Sequence, residues 1–328
     1  MISGLVSTII PVYNRESMLG AAVNSVLAQS WPDLEILIVD DGSTDDTGQV
    51  ANDLTRLHPG TVFALHQQNA GPGAARNLGL KSARGEFIQY LDSDDLLESR
   101  KFELQVEALR ANPNAGIAYG LTMRTELTTG RTRVWALTND PIANIFPSFL
   151  MKRGWDTNSP LWRRSVCDAI GPWSDFRCME DWEHDLRAGL LGVVPTQVRE
   201  HVTTVRDHSG GRASGMHTGF TPEIARDFFR AHRAIWQRMR ERGLTDWSYL
   251  REFSRKLFWI ARMCGERGLI AEAEEALRIA EQMACTHHVS REMRIFRVLI
   301  RLLGWRRAVK LSELARRLWR AGPETSLA

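Results

Sequence analysis

Short apolar runs with the character of β-strands alternate with helix-like segments from the N-terminus to Tyr119, and this alternation narrows the possible folds most. Five strands are predicted, at residues 5–11, 34–39, 61–65, 86–91 and 117–119. Helices are predicted between them, at residues 17–28, 45–57, 72–83 and 97–111. The pattern is typical of an α/β domain with a Rossmann-like, mostly parallel sheet and helices on both faces.

Polar residues directly follow three of these strands. In parallel α/β sheets, ligands bind beyond the carboxyl ends of the strands. We therefore expect a binding site built from these residues: Tyr13-Asn14-Arg15, Asp40-Asp41 and Asp92-Ser93-Asp94-Asp95.

Asp40 and Asp41 end a buried strand just before a Gly-Ser turn. Carboxylates in this position can accept hydrogen bonds from a nucleotide base or from ribose hydroxyls. An ordinary loop with a helix N-cap explains the same residues, and the segment taken alone favours that interpretation.

The segment from Asp92 to Asp95 carries three carboxylates in four residues, which repel one another unless a cation offsets their charge. Oxygen ligands of this kind favour Mg²⁺ or Mn²⁺, and such an ion can also bridge diphosphate oxygens. The alternative is a solvated acidic turn that begins the helix at Leu97. The strand directly before the cluster favours the metal site.

Glu180 and Asp181 stand at the start of a helix predicted over residues 182–191. A carboxylate there can serve as a base held by the helix N-terminus, and it can equally be ordinary helix-start chemistry.

Five segments, in this order and spacing, resemble those of family 2 glycosyltransferases: STIIPVYNR, LAQSWPDLEILIVDDGSTDDT, GPGAARNLG, FIQYLDSDD and EDW. The resemblance covers roughly the first 210 residues. It implies the GT-A fold, a nucleotide-activated sugar as donor with a UDP-sugar expected first, a divalent metal, and inversion at the anomeric carbon.

The resemblance also implies a nucleotide-sugar site. Tyr13 would stack on the base, and Asp41 would bind its edge with support from Asp40. Arg76 would lie near the diphosphate, and His208 near the diphosphate or the metal. The full set is Pro11, Tyr13, Asn14, Arg15, Asp40, Asp41, Arg76, Asp92, Ser93 and His208.

The metal and the base follow from the same resemblance. Asp94 would bind Mn²⁺ or Mg²⁺ with help from Asp92 and Asp95. Asp181 would be the general base, and Glu180 would orient it or contact the acceptor. One base and one metal suffice for a single displacement, whereas a retaining enzyme would need a second carboxylate at the anomeric carbon.

Two other functions compete with sugar transfer to a polysaccharide, lipid-linked or other cell-surface glycan. A nucleotidyltransferase that makes the sugar nucleotide usually has an N-terminal Gly-rich loop, but residues 7–15 contain no glycine. A non-catalytic glycan-binding protein of the same fold would be expected to have lost the acidic residues, which are all present.

The predicted catalytic domain spans residues 1–215, with a nucleotide-sugar half at about 1–120 and an acceptor half at about 121–215. A helical region follows at 216–328. The boundary between the two falls within a glycine-rich segment, 209–219. The acceptor half is rich in tryptophan; we expect most of these side chains to pack structurally and one or two to touch the acceptor.

Residues 291–320 contain ten basic residues against two acidic ones, a net charge of +8. Four arginines share one helical side and Ile295, Leu299, Leu302 and Leu303 another, which suits an anionic membrane surface. A helix packed on the catalytic domain, or one that binds a protein partner, is the alternative. Nucleic-acid binding is not expected, because no nucleic-acid motif accompanies the charge.

The N-terminus lacks the basic segment of a signal peptide, and no apolar run approaches the roughly 18 residues of a spanning helix. The four cysteines, Cys167, Cys178, Cys264 and Cys285, show no C-x-x-C spacing, so we expect reduced thiols and no zinc site. A cytoplasmic protein is predicted, with peripheral contact to the inner face of the membrane as an option.

Overall fold

The computed structural model describes residues 1–208, 220–284 and 291–320. The chain divides into two compact units, Met1–Gly211 and Arg212–Ala328. The boundary predicted at residue 215 and the residues Arg212 and Cys285 lie outside the described residues. Cys167, Cys178 and Cys264 are buried free thiols, as predicted for them.

The described part of the first unit forms a nine-stranded sheet. Its strands are β1 (Ile2–Val12), β2 (Leu34–Asp40), β3 (Val62–His66), β4 (Gly85–Tyr90), β5 (Leu96–Leu97), β6 (Ala115–Glu126), β7 (Thr132–Val134), β8 (Leu161–Arg163) and β9 (Val194–Asp207). Its helices are α1 (Glu16–Leu27), α2 (Thr47–Leu57), α3 (Pro72–Ser82), α4 (Lys101–Ala111), α5 (Ser148–Met151), α6 (Arg164–Ile170) and α7 (Glu180–Leu190), with one 3₁₀ turn at Ala136–Thr138.

The strand order is β3-β2-β1-β4-β8-β6-β9-β5, and β7 pairs with β6. Strands β3, β2, β1 and β4 run parallel to one another. Strand β8 is antiparallel to both β4 and β6, and β6 is parallel to β9. The predicted mostly parallel sheet is therefore confirmed, with antiparallel strands that the sequence did not indicate.

Helices cover both faces of the sheet, as predicted. Apolar residues of α1, α2 and α4 share one core with the face that bears Ile10 and Ile38. Helix α3 lies on the other face, where Gly79 lets it approach closely. A Cβ at Gly79 would lie 2.4 Å from Ile9 Cγ2 and 3.2 Å from Val39 Cγ2.

The helix predicted to begin at Leu97 begins instead at Lys101. Leu96 and Leu97 form the short strand β5, which pairs antiparallel with Thr203 and Thr204 of β9. The prediction was wrong because β9, whose pairing draws these residues into the sheet, has no local signal near Leu97.

The described part of the second unit is helical, as predicted from Thr221 onward. Its described helices are α8 (Pro222–Glu241), α9 (Trp247–Glu266), α10 (Ile270–Ala284), α11 (Arg291–Leu303) and α12 (Trp305–Arg320). Thr221 caps α8 by accepting a hydrogen bond from the Ile224 N–H. Within the described ranges, no helix has both the length and the apolar character needed to cross a bilayer.

Candidate active site

Hydrogen bonds hold the loop after β1 against the loop after β2. The Asn14 N–H donates to Ser43 Oγ over 3.0 Å, and Asn14 Oδ1 accepts from the Thr44 N–H over 2.8 Å. Asn14 adopts a positive φ of 50°, which asparagine tolerates better than most residues. Next to it, Tyr13 is 45% exposed, so its ring is available to a ligand.

Asp41 is buried, and its carboxylate holds the loop that opens α3. Its Oδ1 accepts hydrogen bonds from Gln67 Nε2 (2.7 Å) and the Ala70 N–H (2.8 Å), and its Oδ2 accepts one from the Gly71 N–H (2.9 Å). A carboxylate has about four acceptor positions, so one is left for a base edge. Fixing this loop is therefore the main role that the geometry gives Asp41.

Three other predicted residues, Asp40, Pro11 and Ser93, lie at the same edge of the sheet and are buried or half-buried. Asp40 accepts a hydrogen bond from the Ser43 N–H (3.0 Å) and lies 3.1 Å from His66 Nδ1, so it supports the turn that comes after Asp41. Pro11 lies within β1, half-buried, and Ser93 is buried.

Asp95 points into the protein and is 5% exposed. Its Oδ1 accepts a hydrogen bond from the Arg206 N–H and its Oδ2 accepts one from Asn158 Nδ2, each over 2.8 Å. Burial, followed by the charges of Asp94 and Asp92, raises the pKa of Asp95 well above its ordinary value. Both of its oxygens hold β9 and Asn158 in place, and its predicted help in binding a metal stays a prediction.

Asp94 keeps an accessible carboxylate beside two basic side chains. Its Oδ2 lies 2.9 Å from His208 Nε2 and 3.6 Å from Arg15 Nε. Among the described residues, no group of three or more His, Cys, Asp or Glu could hold a metal. A cation of the Mg²⁺ or Mn²⁺ type often takes only one or two protein ligands and completes its shell with phosphates and water. Asp94 and His208 fit that arrangement.

Arg76 joins the acidic loop to the start of α7. Its buried guanidinium donates to Glu180 Oε1 over 2.8 Å and to Asp92 Oδ1 over 2.9 Å. Burial lowers its pKa, but the charges of Asp92 and Glu180 outweigh this and raise the pKa of Arg76 overall. Its predicted place near the diphosphate stays a prediction, because both observed partners are carboxylates of the protein.

A stack of aromatic rings supports that guanidinium, which lies 4.5 Å from the centre of the Trp173 ring. Trp173 in turn stacks on His184 at 3.9 Å, and burial lowers the pKa of His184 to about 4. Gly73 lets α3 come close to this segment, since a Cβ there would lie 2.2 Å from the Ser174 carbonyl oxygen. The tryptophans that pack as predicted are Trp155, Trp162, Trp173 and Trp182.

Asp181, the predicted base, is 31% exposed at its side chain and is held in a fixed orientation. Its Oδ2 accepts a hydrogen bond from an Arg153 terminal nitrogen over 2.5 Å. The Arg153 Nε donates to Asp185 Oδ2 over 2.6 Å, and Trp155 Nε1 donates to the same oxygen over 2.8 Å. Burial lowers the pKa of Arg153, but the charges of Asp181 and Asp185 raise it overall. Sequence reasoning missed Arg153, because no local pattern marks it.

Glu180 is buried between Arg76 and Asp181. Burial first, and the charge of Asp181 second, raise the pKa of Glu180 to about 7, against the opposing effect of Arg76. The carboxyl group therefore takes up and releases a proton near neutral pH, next to the predicted base.

We expect Glu180→Gln to remove a pH dependence of stability. The unfolded chain releases the Glu180 proton near pH 4.5 and the folded protein near pH 7, so the wild type loses stability as pH rises through this window. The glutamine does not titrate. As pH rises from 4.5 to 7, the free energy of unfolding of the variant should therefore increase relative to that of the wild type by on the order of 3 kcal/mol. If the melting temperatures of the wild type and the variant changed with pH in the same way across this window, the raised pKa of Glu180 would be contradicted.

The family model described as Glycosyl transferase family 2 matches residues 7–171, half of the chain. The chain belongs to glycosyl transferase family 2. The match runs from within β1 to the end of α6, and therefore includes the loops that carry Tyr13, Asp41 and Asp94 and the helix α3 that carries Arg76.

Curated relatives of this family 2 member match about a third of the chain. An uncharacterized glycosyltransferase of Rickettsia felis is 46% identical over 107 residues, which are 33% of this chain and 17% of that protein. An uncharacterized glycosyltransferase of Haemophilus influenzae is 39% identical over 108 residues, 33% of this chain and 43% of that protein. The chain thus matches less than half of the length of these relatives.

Solved structures show the fold of this family 2 member over most of its length. TarS 1–349 of S. aureus, in complex with UDP-GlcNAc, aligns with a TM-score of 0.58 at 16% identity, covering 88% of this chain and 93% of that one. The mannosyltransferase PcManGT of Pyrobaculum calidifontis, in complex with GDP-Man and Mn²⁺, aligns with a TM-score of 0.53 at 15% identity, covering 96% and 87%. The predicted GT-A fold with C-terminal helices is confirmed.

Proposed function

We propose that this family 2 member is an inverting glycosyltransferase that moves a sugar from a nucleoside diphosphate sugar to an acceptor hydroxyl. One observation carries the proposal: Arg76 donates to Asp92 and to Glu180, so it joins the acidic loop that carries Asp94 to the helix start that carries the partly exposed Asp181. The Asp94–His208 pair, which can hold a metal ion on the diphosphate, and Asp181, which can accept a proton, thus belong to one site.

The proposed donor is a nucleoside diphosphate sugar, with UDP-sugars first. The TarS structure holds UDP-GlcNAc and the mannosyltransferase structure holds GDP-Man, which supports this class of donor. The exposed ring of Tyr13 is the surface that we assign to the base. Arg15, 3.6 Å from Asp94, adds positive charge on the side that we assign to the diphosphate.

The proposed metal site consists of Asp94 and His208. A divalent ion bound there would supply Lewis-acid stabilisation of the charge that develops on the departing diphosphate. The mixed carboxylate and imidazole ligands suit Mn²⁺, and the Mn²⁺ in the mannosyltransferase structure supports the same choice.

The proposed base is Asp181. It would take the proton of the acceptor hydroxyl while that oxygen attacks the anomeric carbon, and the bond to the nucleoside diphosphate would break on the opposite face. Arg153 holds the Asp181 carboxylate in one orientation throughout. A single displacement of this kind inverts the anomeric carbon. The proposed acceptor is a polysaccharide, lipid-linked or other cell-surface glycan, and the proposed place of action is the cytoplasm or the inner face of the cell membrane.

The test offers sugar nucleotides to the full chain together with candidate glycan acceptors and Mn²⁺. We expect release of a nucleoside diphosphate and a product with the opposite anomeric configuration, both read by NMR. A nucleotidyltransferase would instead release pyrophosphate from a nucleoside triphosphate and a sugar 1-phosphate. A glycan-binding protein would bind acceptor and release nothing. Retention of configuration would overturn the single displacement.

Tyr13→Ala should weaken the binding of nucleoside diphosphates by about tenfold, because stacking on a base contributes about 1–3 kcal/mol in comparable sites. Tyr13→Phe keeps the ring, so its affinity should stay near that of the wild type. Isothermal titration calorimetry with UDP and Mn²⁺ measures both. Equal affinities for all three proteins would remove Tyr13 from the site.

A further inference from the structure

Helix α11 has apolar residues on two opposite sides. Met293 and Phe296 are each 2% exposed and face the interior of the second unit. On the other side, Ile295, Val298 and Leu302 are 51%, 53% and 74% exposed. Their spacing of three and four residues places them in one row along the helix. The apolar side predicted from the sequence did not include Val298, whereas Ile295, Leu302 and Leu303 of that prediction are exposed.

The inner side of α11 accounts for its attachment to the rest of the unit. The Phe296 ring packs edge-on against Phe258 at 5.3 Å. Arg297, on the same side, donates to Glu274 Oε2 over 2.8 Å and to Glu281 Oε2 over 2.7 Å. Packing within the unit therefore does not explain the outer row.

Helix α12 repeats the arrangement. Trp305, Ala308 and Val309 are buried, whereas Leu311 and Leu314 are exposed. A surface helix normally keeps its apolar residues on the side that faces the core. Two consecutive helices with large aliphatic side chains in solvent thus indicate a surface that something else covers.

The outer sides of both helices are strongly basic. Over residues 291–314, where the side chains of α11 and α12 are described, none of the exposed basic residues forms an ion pair. They are Arg291, Arg294, Arg301, Arg306, Arg307 and Lys310. Arg297, on the inner side, is paired twice, so the unpaired charge is confined to the outer side.

We infer that the outer sides of α11 and α12, termed here the basic apolar surface, dock on an anionic lipid surface. Unpaired arginines and a lysine complement lipid phosphates, and the exposed Ile, Val and Leu side chains can enter the boundary between headgroups and acyl chains. The interleaving of both residue types favours lipid over an acidic protein or a second copy of the chain, since an acidic protein surface offers little for the apolar row. The inference does not depend on the proposed sugar transfer.

Co-sedimentation of the full chain with vesicles tests this inference. The vesicles are phosphatidylcholine alone, or phosphatidylcholine with roughly a third phosphatidylglycerol. We expect binding to the anionic vesicles only, and weaker binding as salt rises, because salt screens exposed charges. Arg294→Gln with Arg301→Gln should lower the partition coefficient by about 25-fold, at about fivefold per charge. Ile295→Ser with Val298→Ser and Leu302→Ser should lower it at least about tenfold.

Matched controls come from exposed residues outside this surface. Arg251→Gln with Arg255→Gln removes two exposed charges of α9, and Leu57→Ser removes an exposed leucine of the first unit. Both should bind vesicles as the wild type does. Each variant's melting temperature shows that it is folded.

Three outcomes would overturn the lipid assignment. These are equal recovery with both vesicle types, binding that the surface variants leave unchanged, and a dimer by light scattering that the surface variants dissociate while no vesicle is bound. Failure of the lipid assay would leave the sugar-transfer assay unaffected.

Discussion

Asp181→Asn is expected to lower the turnover number by a factor of about 10² or more, while the affinity for nucleoside diphosphates stays nearly unchanged. The asparagine has almost the same shape and can still accept the hydrogen bond that Arg153 donates to Asp181. It cannot take a proton from an acceptor hydroxyl. The loss should therefore appear in the chemical step and not in donor binding.

The control for this variant is Asp168→Asn, which changes an exposed aspartate of α6 whose partner is Arg164. Its turnover should stay within about twofold of the wild type, because surface substitutions of this kind have small effects. Single-turnover measurements separate the chemical step from product release. A variant Asp181→Asn with near-wild-type turnover would remove Asp181 from the mechanism.

Asp94→Ala should abolish measurable transfer and also abolish the gain in nucleotide affinity that Mn²⁺ gives the wild type. Asp94 and His208 are the adjacent pair that fits a divalent ion, and the variant removes its carboxylate. The exposed Asp53→Ala of α2 is the matched control and should keep both properties.

Two further results bear on the metal assignment. Asp95→Asn should lower the melting temperature and leave the metal-dependent gain in affinity intact, because the Asp95 oxygens bind Asn158 and the Arg206 backbone. Transfer at full rate in excess EDTA would show that the metal assignment is wrong.

The strand ends that build the site could be predicted because their signal is local. A buried run followed at once by Asp40-Asp41 or by Asp92 to Asp95 contains both the strand and the residues at its end. The ordered set of five segments added the family. The α/β alternation gave the parallel part of the sheet for the same reason, since each strand and each helix is defined by its own residues.

The features that could not be predicted are contacts between residues that are distant in sequence. Asp95 bonds with Asn158 and Arg206, 63 and 111 positions away, and nothing near Asp95 indicates that it turns inward. Leu97 was placed in a helix because its pairing with β9 was not visible from its neighbours. Arg153 lies 28 positions before Asp181 in an irregular segment, so its contact with the base had no local signal.

The two-sided character of α11 also needed the structure. Its sequence carries apolar residues all around the helix, and the pattern alone does not say which of them face the core. The buried positions of Met293 and Phe296 decide this, and they leave Ile295, Val298 and Leu302 in solvent.

The central claim is that a nucleoside diphosphate sugar binds at the carboxyl ends of the parallel strands, beside Tyr13 and Asp94. The most direct test is a thermal-shift screen of the full chain with UDP, GDP, ADP, CDP and dTDP, each with and without Mn²⁺. A ligand that binds only the folded protein stabilises it by about 2.7 kcal/mol at 100 times its dissociation constant, which raises the melting temperature by several degrees. We predict such a rise for one nucleotide class, larger with Mn²⁺, reduced by Tyr13→Ala, and without its Mn²⁺ component in Asp94→Ala. A screen in which no nucleotide shifts the melting temperature, or in which both variants shift as the wild type does, would contradict the account.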